Sequence, residues 1–123
     1  MTLAVYGIKN CDTMKKALAW LDGAGVAYVF HDYKKTPPDA ARLARWDQAV
    51  GLAALVNRRG TTWRRLDEAT RAAIDAGDAA LIRATLAAQP SLIRRPLVEA
   101  ANGDVQLGFD ADVLATFVAE HRA

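Results

Sequence analysis

The sequence predicts an α/β protein with a four-stranded mixed sheet and an all-helical insertion. Three observations predict this class. A strand, a helix and a second strand follow one another over residues 3–33. A strand, a turn, a strand and a helix follow over residues 97–118. The chain between them, about residues 36–90, contains helical patterns only, so we expect one α/β domain over residues 1–123.

The N-terminal half begins with a short apolar run at residues 3–6, which predicts a buried strand. A helix is expected from about residue 12 to residue 22, with Asn10 or Cys11 at its N-cap. Residues 26–33 are rich in β-branched and aromatic side chains and predict the second strand. Strands joined through a helix in this way are parallel, with a right-handed crossover.

The helical insertion is predicted to begin at a capping sequence. Thr36 can cap a helix, Pro37 suits its first position and Asp39 falls at the third. Asp78 is expected to cap a later helix, after a break at Gly77. Between these points the sequence predicts a helical turn, a polar loop and an alanine-rich helical stretch: residues 52–56, 57–65 and 66–89.

The C-terminal half carries a hairpin and a final helix. Residues 97–100 predict a strand, and Asn102-Gly103 is typical of a two-residue hairpin turn. Residues 105–107 should then return antiparallel, and Asp110 should cap the last helix. A βαβ half followed by a ββα half is the thioredoxin topology. Folds of this type place a reactive cysteine where the first strand gives way to the first helix.

Cys11 lies at that position and is the only cysteine in the chain. The unpaired N–H groups and the positive dipole end of a helix N-terminus stabilise a thiolate. Lys9 and Lys15 add positive charge nearby, and Lys15 lies one helical turn after Cys11. The alternative is that Cys11 is a small buried hydrophobic residue and that both lysines are merely solvated.

Composition is that of an ordinary globular protein, with 52% hydrophobic and 24% charged residues. One cysteine excludes an intramolecular disulfide framework and a cysteine-rich zinc site, so we predict no metal. A net charge of +2 does not favour direct nucleic-acid binding. No segment has the pattern of a signal peptide or a membrane span. We therefore expect a cytoplasmic monomer with a reduced Cys11 and no membrane partner.

Five segments, in this order and over almost the whole chain, carry a family resemblance: YGIKNCDT (6–13), FHDY (30–33), NRRGTTWR (57–64), LIRRP (92–96) and LGF (107–109). Together they resemble the arsenate reductase-like (ArsC) family, and most closely its Spx/YffB-type subgroup. The resemblance implies a thioredoxin-like sheet with a helical insertion, which agrees with the order of elements above.

The resemblance also implies a nucleophilic role for Cys11. In the family's arsenate reductases the cysteine attacks arsenate, glutathione and glutaredoxin complete the reduction, and three arginines stabilise the anion. Arg95, directly before Pro96, matches one of them, and the resemblance implies a cis bond there beside the cysteine. A second arginine corresponds to Arg58 or Arg59, and both assignments stay open. Arg95 is expected to bind a glutathione carboxylate or another anion beside the thiol.

Two departures from the family pattern bear on the substrate. Phe109 stands where the third arginine is expected, and Lys15 stands where an arginine follows the cysteine. These departures favour glutathione-dependent thiol reduction, the activity proposed for YffB-type proteins, with glutaredoxin or a protein disulfide as a further partner. The alternatives are a glutaredoxin-coupled arsenate reductase and a non-catalytic Spx-like regulator that binds RNA polymerase. Met14 replaces the second cysteine of the Spx redox switch.

Overall fold

The computed structural model describes residues 1–122, which form four strands and seven helices. In chain order these are β1 (Leu3–Gly7), α1 (Asp12–Gly23), β2 (Tyr28–Asp32), α2 (Ala40–Val50), α3 (Leu52–Leu55), α4 (Thr61–Arg65), α5 (Glu68–Asp75), α6 (Ala79–Ala88), β3 (Leu97–Glu99), β4 (Val105–Leu107) and α7 (Ala111–His121). A short 3₁₀ turn, Pro90–Leu92, precedes β3.

The described chain divides into two compact units. The first comprises Met1–Thr36 together with the chain from Arg95 onward, and the second is Pro37–Arg94. In the first unit the strands form one sheet in the order β2-β1-β3-β4. β1 is parallel to β2 and antiparallel to β3, and β3 is antiparallel to β4. This mixed sheet with its helices confirms the predicted α/β, thioredoxin-like class.

The first unit has a hydrophobic core in which side chains of α1 and α7 pack with side chains from one face of the sheet. That face is selected by the alternation of side chains along a strand, which turns Leu3 and Val5 of β1 to the same side. The buried members are Leu3, Val5, Met14, Leu21, Val26, Val98, Ala100, Leu114, Phe117 and Val118. Cys11 and Phe109 are partly buried and pack against this cluster. The hydrophobic core therefore supports the start of α1, where Cys11 lies.

The second unit contains α2 to α6, and its buried apolar side chains come from these helices and from the segments that join them. These are Leu43, Trp46, Leu52, Leu55, Val56, Leu66, Ile74, Ile82, Leu86, Leu92 and Ile93. A single antiparallel bridge joins Val56 to Ile93. Helices are thus the only regular elements of this described segment, as predicted for the insertion, while the single-domain organisation stays a prediction.

The start of the insertion was predicted wrongly. Helix α2 begins at Ala40, and its N-cap is Asp39 rather than Thr36. The Asp39 carboxylate accepts a hydrogen bond from the Arg42 amide at 2.8 Å, which is the capping geometry that an aspartate supplies well. The Thr36 amide instead donates to the Asp32 carbonyl in a turn that follows β2. Thr36 thus belongs to the turn after β2, and the helix begins three residues later than predicted.

Two further local predictions need correction. The hairpin loop contains three residues, 101–103, because the Ala100 amide pairs with the Asp104 carbonyl at 2.9 Å. Gly103 has a φ of 94°, in the left-handed region that most other residues avoid, and this conformation lets the chain turn. The predicted polar loop over residues 57–65 ends in the short helix α4. A helix of little more than one turn has no periodicity that could reveal it.

Candidate active site

Cys11 occupies the N-cap position of α1, directly after the loop that leaves β1. Its backbone is extended, with φ −133° and ψ 128°, and its carbonyl accepts the amide of Lys15 at 3.0 Å. The side chain is half-buried and makes no capping hydrogen bond of standard geometry. The first amides of a helix have no acceptor within the helix, and those of Thr13 and Met14 act on the Cys11 sulfur.

The environment of Cys11 favours its thiolate. Burial raises the pKa of the thiol. The Met14 amide, the Arg95 guanidinium and the Thr13 amide together lower it by a larger amount, so the pKa lies below its ordinary value. The contribution of Thr13 comes from its backbone amide. The helix N-terminus thus acts as predicted.

Arg95 supplies the charged partner of the thiol. Its side chain hydrogen-bonds the Cys11 sulfur and lowers the pKa of that thiol by its positive charge as well. The residue is half-buried and directly precedes Pro96, with which it forms a cis peptide bond, as the resemblance implied. Cys11 and Arg95 are far apart in sequence, and the pairing of β1 with β3 brings their strands together.

The two lysines predicted near the thiol differ from Arg95 in their exposure. Lys9 and Lys15 are both exposed, Lys9 in the loop before α1 and Lys15 on the helix itself. The charge that lowers the pKa of Cys11 is that of Arg95. A role for either lysine in binding an anion stays a prediction.

Arg58 is held by three groups of the second unit. Its Nε lies 2.9 Å from the Asp75 carboxylate, and its Nη1 donates to the Ala53 carbonyl at 3.2 Å. Its guanidinium also stacks over the Trp63 ring, 5.4 Å from the ring centroid. Arg59 is exposed, and its amide donates to the Asn57 side chain at 3.0 Å. Arg58 is therefore engaged in structural contacts, and Arg59 is the more available of the two for binding an anion.

Sequence reasoning missed Arg94. With Arg58 and Arg59 it lines a cavity of about 350 Å³ in the second unit. The arginine pairs in the sequence indicated which segments are basic, but the bridge that brings residues 56 and 93 side by side is a tertiary contact. No motif within either segment signals it.

Within residues 1–122 no three histidine, cysteine, aspartate or glutamate side chains come together as metal ligands. In the same described range, no helix combines the length and apolar character needed to cross a membrane.

Comparison with known proteins identifies the family. The model of the ArsC family matches residues 6–117. A solved structure named YFFB protein is 47% identical, with a TM-score of 0.82 over 93% of this chain and 96% of that one. An arsenate reductase (ArsC) related protein from Brucella melitensis is 46% identical, with a TM-score of 0.76 over 95% of each chain.

An uncharacterized protein of Haemophilus influenzae is 41% identical over 108 residues, which are 88% of this chain and 91% of that protein. The family match and these neighbours support a thiol-based, reductase-type function. The matched span contains Cys11 and Arg95 together with the whole helical segment. The chain therefore belongs to the ArsC family.

Proposed function

We propose that this protein is a glutathione-dependent thiol reductase that works through the single cysteine Cys11. The observation that carries the proposal is the joint action of Arg95 and the start of α1 on the Cys11 sulfur, which lowers the pKa of the thiol. A thiolate is the attacking species in disulfide exchange, so this environment prepares the nucleophile. The half-buried position of Cys11 leaves part of its surface accessible.

In the first step the Cys11 thiolate attacks the glutathione sulfur of a mixed disulfide between a substrate thiol and glutathione. The bond between the two substrate sulfurs breaks, and a disulfide between Cys11 and glutathione forms. The substrate leaves as a thiolate and takes a proton from solvent. Arg95, already beside the sulfur, is placed to hold a carboxylate of the tripeptide.

The second step needs another thiol, because the chain contains no second cysteine. The thiolate of a free glutathione attacks the glutathione sulfur bound to Cys11, which gives oxidised glutathione and releases the Cys11 thiolate. A lowered pKa makes Cys11 a better leaving group in this step. Over both steps one substrate disulfide is reduced and two glutathione molecules are joined as their disulfide. Glutaredoxin is the alternative thiol donor.

The test is the pH dependence of Cys11 alkylation, followed by intact mass after exposure to oxidised glutathione. We expect half-maximal alkylation below the pH of about 8.5 at which a free cysteine titrates, and one glutathione adduct per chain. An ordinary titration without an adduct would contradict the mechanism. The role of a binding protein that docks on RNA polymerase or another partner would then become the leading hypothesis.

Arsenate reduction is the second candidate, because one similar structure is named an arsenate reductase (ArsC) related protein. Arg95 would stabilise the oxyanion beside Cys11. Phe109, at the position of the third arginine, packs against the hydrophobic core and offers no donor from its side chain. Turnover of arsenate with glutathione and glutaredoxin separates the two candidates, and we expect it to be much slower than reduction of a glutathione mixed disulfide.

A further inference from the structure

All the lysines of this protein lie in one short part of the chain. The five of them fall between residues 9 and 35 and form three groups: Lys9, Lys15 with Lys16, and Lys34 with Lys35. The arginines are instead spread from residue 42 to residue 122. Because every lysine belongs to the first unit, a single surface of that unit can carry all five charges.

The sheet brings two of these groups to the same edge. Strands β1 and β2 are parallel, and Gly7 pairs with Asp32, so both strands end at this edge. The Tyr33 amide donates to the Gly7 carbonyl at 2.8 Å, which ties the chain after β2 to the end of β1. Lys9 lies just after β1, and residues 34–35 lie just after β2. These two groups therefore lie on neighbouring segments.

The turn that carries Lys34 and Lys35 has a defined shape. The Asp32 carboxylate accepts the Lys34 amide at 2.9 Å. The Asp32 carbonyl accepts the amides of Lys35 and Thr36 at 3.1 Å and 2.8 Å. The two lysines contribute backbone amides to these bonds, so we expect the turn to persist when their side chains are replaced.

The third group lies on α1, beside the thiol. The Lys15 amide donates to the Cys11 carbonyl at 3.0 Å, so one helical turn separates Lys15 from the cysteine. Lys16 is the next residue of the same helix. Cys11 thus lies in the chain between the first group and the second. We call the five exposed lysines together the lysine surface: Lys9, Lys15, Lys16, Lys34 and Lys35.

The charges of the lysine surface are not neutralised within the described chain. All five side chains are exposed. Among residues 1–122, no carboxylate lies within ion-pair distance of a lysine. Asp12 and Asp32 belong to the same segments, but the lysines outnumber them. Like charges on one surface repel one another, and an anionic partner relieves that repulsion.

The other side of the same edge carries negative charge. The strand order is β2-β1-β3-β4, so Arg95, which precedes β3, lies on the side of β1 away from β2. The Gly108 amide donates to the Pro96 carbonyl at 2.9 Å, which brings the end of β4 to this edge too. Helix α7 begins there, with the exposed residues Asp110 and Asp112. An anionic partner is therefore attracted to the β2 side of the edge and repelled at the α7 side.

We propose that the lysine surface docks the acidic flank of a protein substrate, a polypeptide with aspartate or glutamate residues beside a glutathionylated cysteine. This inference rests on the proposed function, because it names the substrate class of that reaction. Nucleic acids and lipid head groups are also anionic, but they carry no disulfide for Cys11 to attack. Arg95 is placed to hold a carboxylate of glutathione, which leaves the lysines for the carboxylates of the polypeptide.

Docking of this kind acts mainly on association. Exposed charges steer an oppositely charged partner to the site, and salt screens them. A lysine ammonium is a point charge on a flexible stem, so it can meet carboxylates in many arrangements. The preference for an acidic substrate should therefore appear in KM rather than in kcat, and it should weaken as ionic strength rises.

The kinetic test compares two glutathionylated peptides that differ only in the residues beside the cysteine. One peptide has glutamate and aspartate at these positions, and the other has glutamine and asparagine. The readout is the ratio of kcat/KM for the acidic peptide to that for the amide peptide, so a general loss of activity cancels. The variant is K34A/K35A. The matched control is R65A/R83A, which removes the same charge from two exposed arginines of the helical unit.

The wild type and R65A/R83A should prefer the acidic peptide through a lower KM, and more strongly at low salt. In K34A/K35A the ratio should fall about three- to tenfold, since two exposed ion pairs are lost. Thermal unfolding verifies that each variant is folded. No preference in the wild type would overturn the proposal. An equal fall in both double variants would overturn it as well, because net charge rather than the lysine surface would then be responsible.

A binding arm separates this proposal from the reductase mechanism. The same peptides with serine in place of cysteine cannot exchange with Cys11, and fluorescence anisotropy measures their affinity for the full-length protein. Binding of the acidic peptide that K34A/K35A weakens, without turnover of its glutathionylated form, would support the docking surface and contradict the reductase proposal. Turnover with equal affinity for both peptides would do the reverse. Tighter binding of a short duplex DNA of equal charge would overturn the assignment to a protein.

Discussion

The two regions that contain the predicted arginines differ in what those arginines contact. In the sheet unit, Arg95 contacts the sulfur of Cys11 and lowers the pKa of its thiol. In the helical unit, Arg58 contacts the Asp75 carboxylate, the Ala53 carbonyl and the ring of Trp63. Both residues belong to Arg-Arg pairs and look equivalent in sequence. The comparison shows that an arginine's partner, rather than its presence in a basic motif, decides whether it is available for chemistry.

The largest expected effect tests the thiol side of this comparison. Cys11→Ser should reduce disulfide reductase activity to the rate of the uncatalysed exchange, because no other sulfur can form the intermediate. The measurement is the rate of reduction of a glutathione mixed disulfide in the presence of glutathione. Circular dichroism verifies that the variant is folded, and substantial activity in a folded variant would refute the mechanism.

A smaller loss of reductase activity is expected for Arg95→Ala. Without the guanidinium, the pKa of Cys11 should rise, and kcat/KM should fall roughly ten- to a hundredfold, as for loss of a hydrogen bond to a charged group. The alkylation profile should shift to higher pH with an unchanged plateau. Arg95→Lys should restore part of the shift, and Arg65→Ala, which removes an exposed arginine, is the control. An alkylation profile identical to the wild type would remove Arg95 from the site.

The third prediction concerns stability in the helical unit. Arg58→Ala should lower the free energy of unfolding by about 1 kcal/mol, since an exposed ion pair and a cation–π contact each contribute modestly. The side chains of Arg58 and Asp75 are 39% and 56% exposed, which keeps the ion-pair contribution small. Arg59→Ala should leave stability unchanged. Urea denaturation measures both, and equal effects would show that Arg58 has no special structural role.

The smallest expected effect is a pH dependence of the protein's stability, which comes from a third charged pair. His121 has a raised pKa because its ring nitrogens face the Phe117 carbonyl at 2.7 Å and the Asp104 carboxylate at 2.8 Å. Both nitrogens can donate only in the charged ring. The stabilisation is therefore fully present below the unfolded histidine pKa of about 6.5 and is lost as pH rises through the folded pKa.

Protonation of Asp104 removes the stabilisation from the same pair at low pH. Hydrogen bonds from His121 and then Asn102 lower its pKa, so its contribution is lost as pH falls through the folded pKa. The thermal stabilities of His121→Gln and the wild type should differ most between the folded pKa of Asp104 and the folded pKa of His121. The two stabilities should converge at alkaline pH. A constant difference across the whole range would show that packing, not charge, accounts for the effect.

Local sequence patterns predicted many elements well. Asp78 and Asp110 cap α6 and α7 as expected, because an aspartate before an apolar helical pattern needs only neighbouring amides to act. Helix α1 begins at Asp12 with Cys11 at its N-cap, one of the two predicted positions. The failures lie where a turn takes up the predicted cap, as at Thr36, or where an element such as α4 is too short to show a period.

The sequence by itself determined the order of the strands and of the longer helices, the position of Cys11 at a helix N-terminus and the identity of the basic segments, because these depend on residues near one another in the chain. Tertiary structure decided which arginine meets the sulfur, which one is neutralised by Asp75, and that Arg94 shares a cavity with Arg59. Such pairings join residues far apart in sequence through strand pairing and core packing. No local pattern encodes them, since each is fixed only when the whole chain has folded.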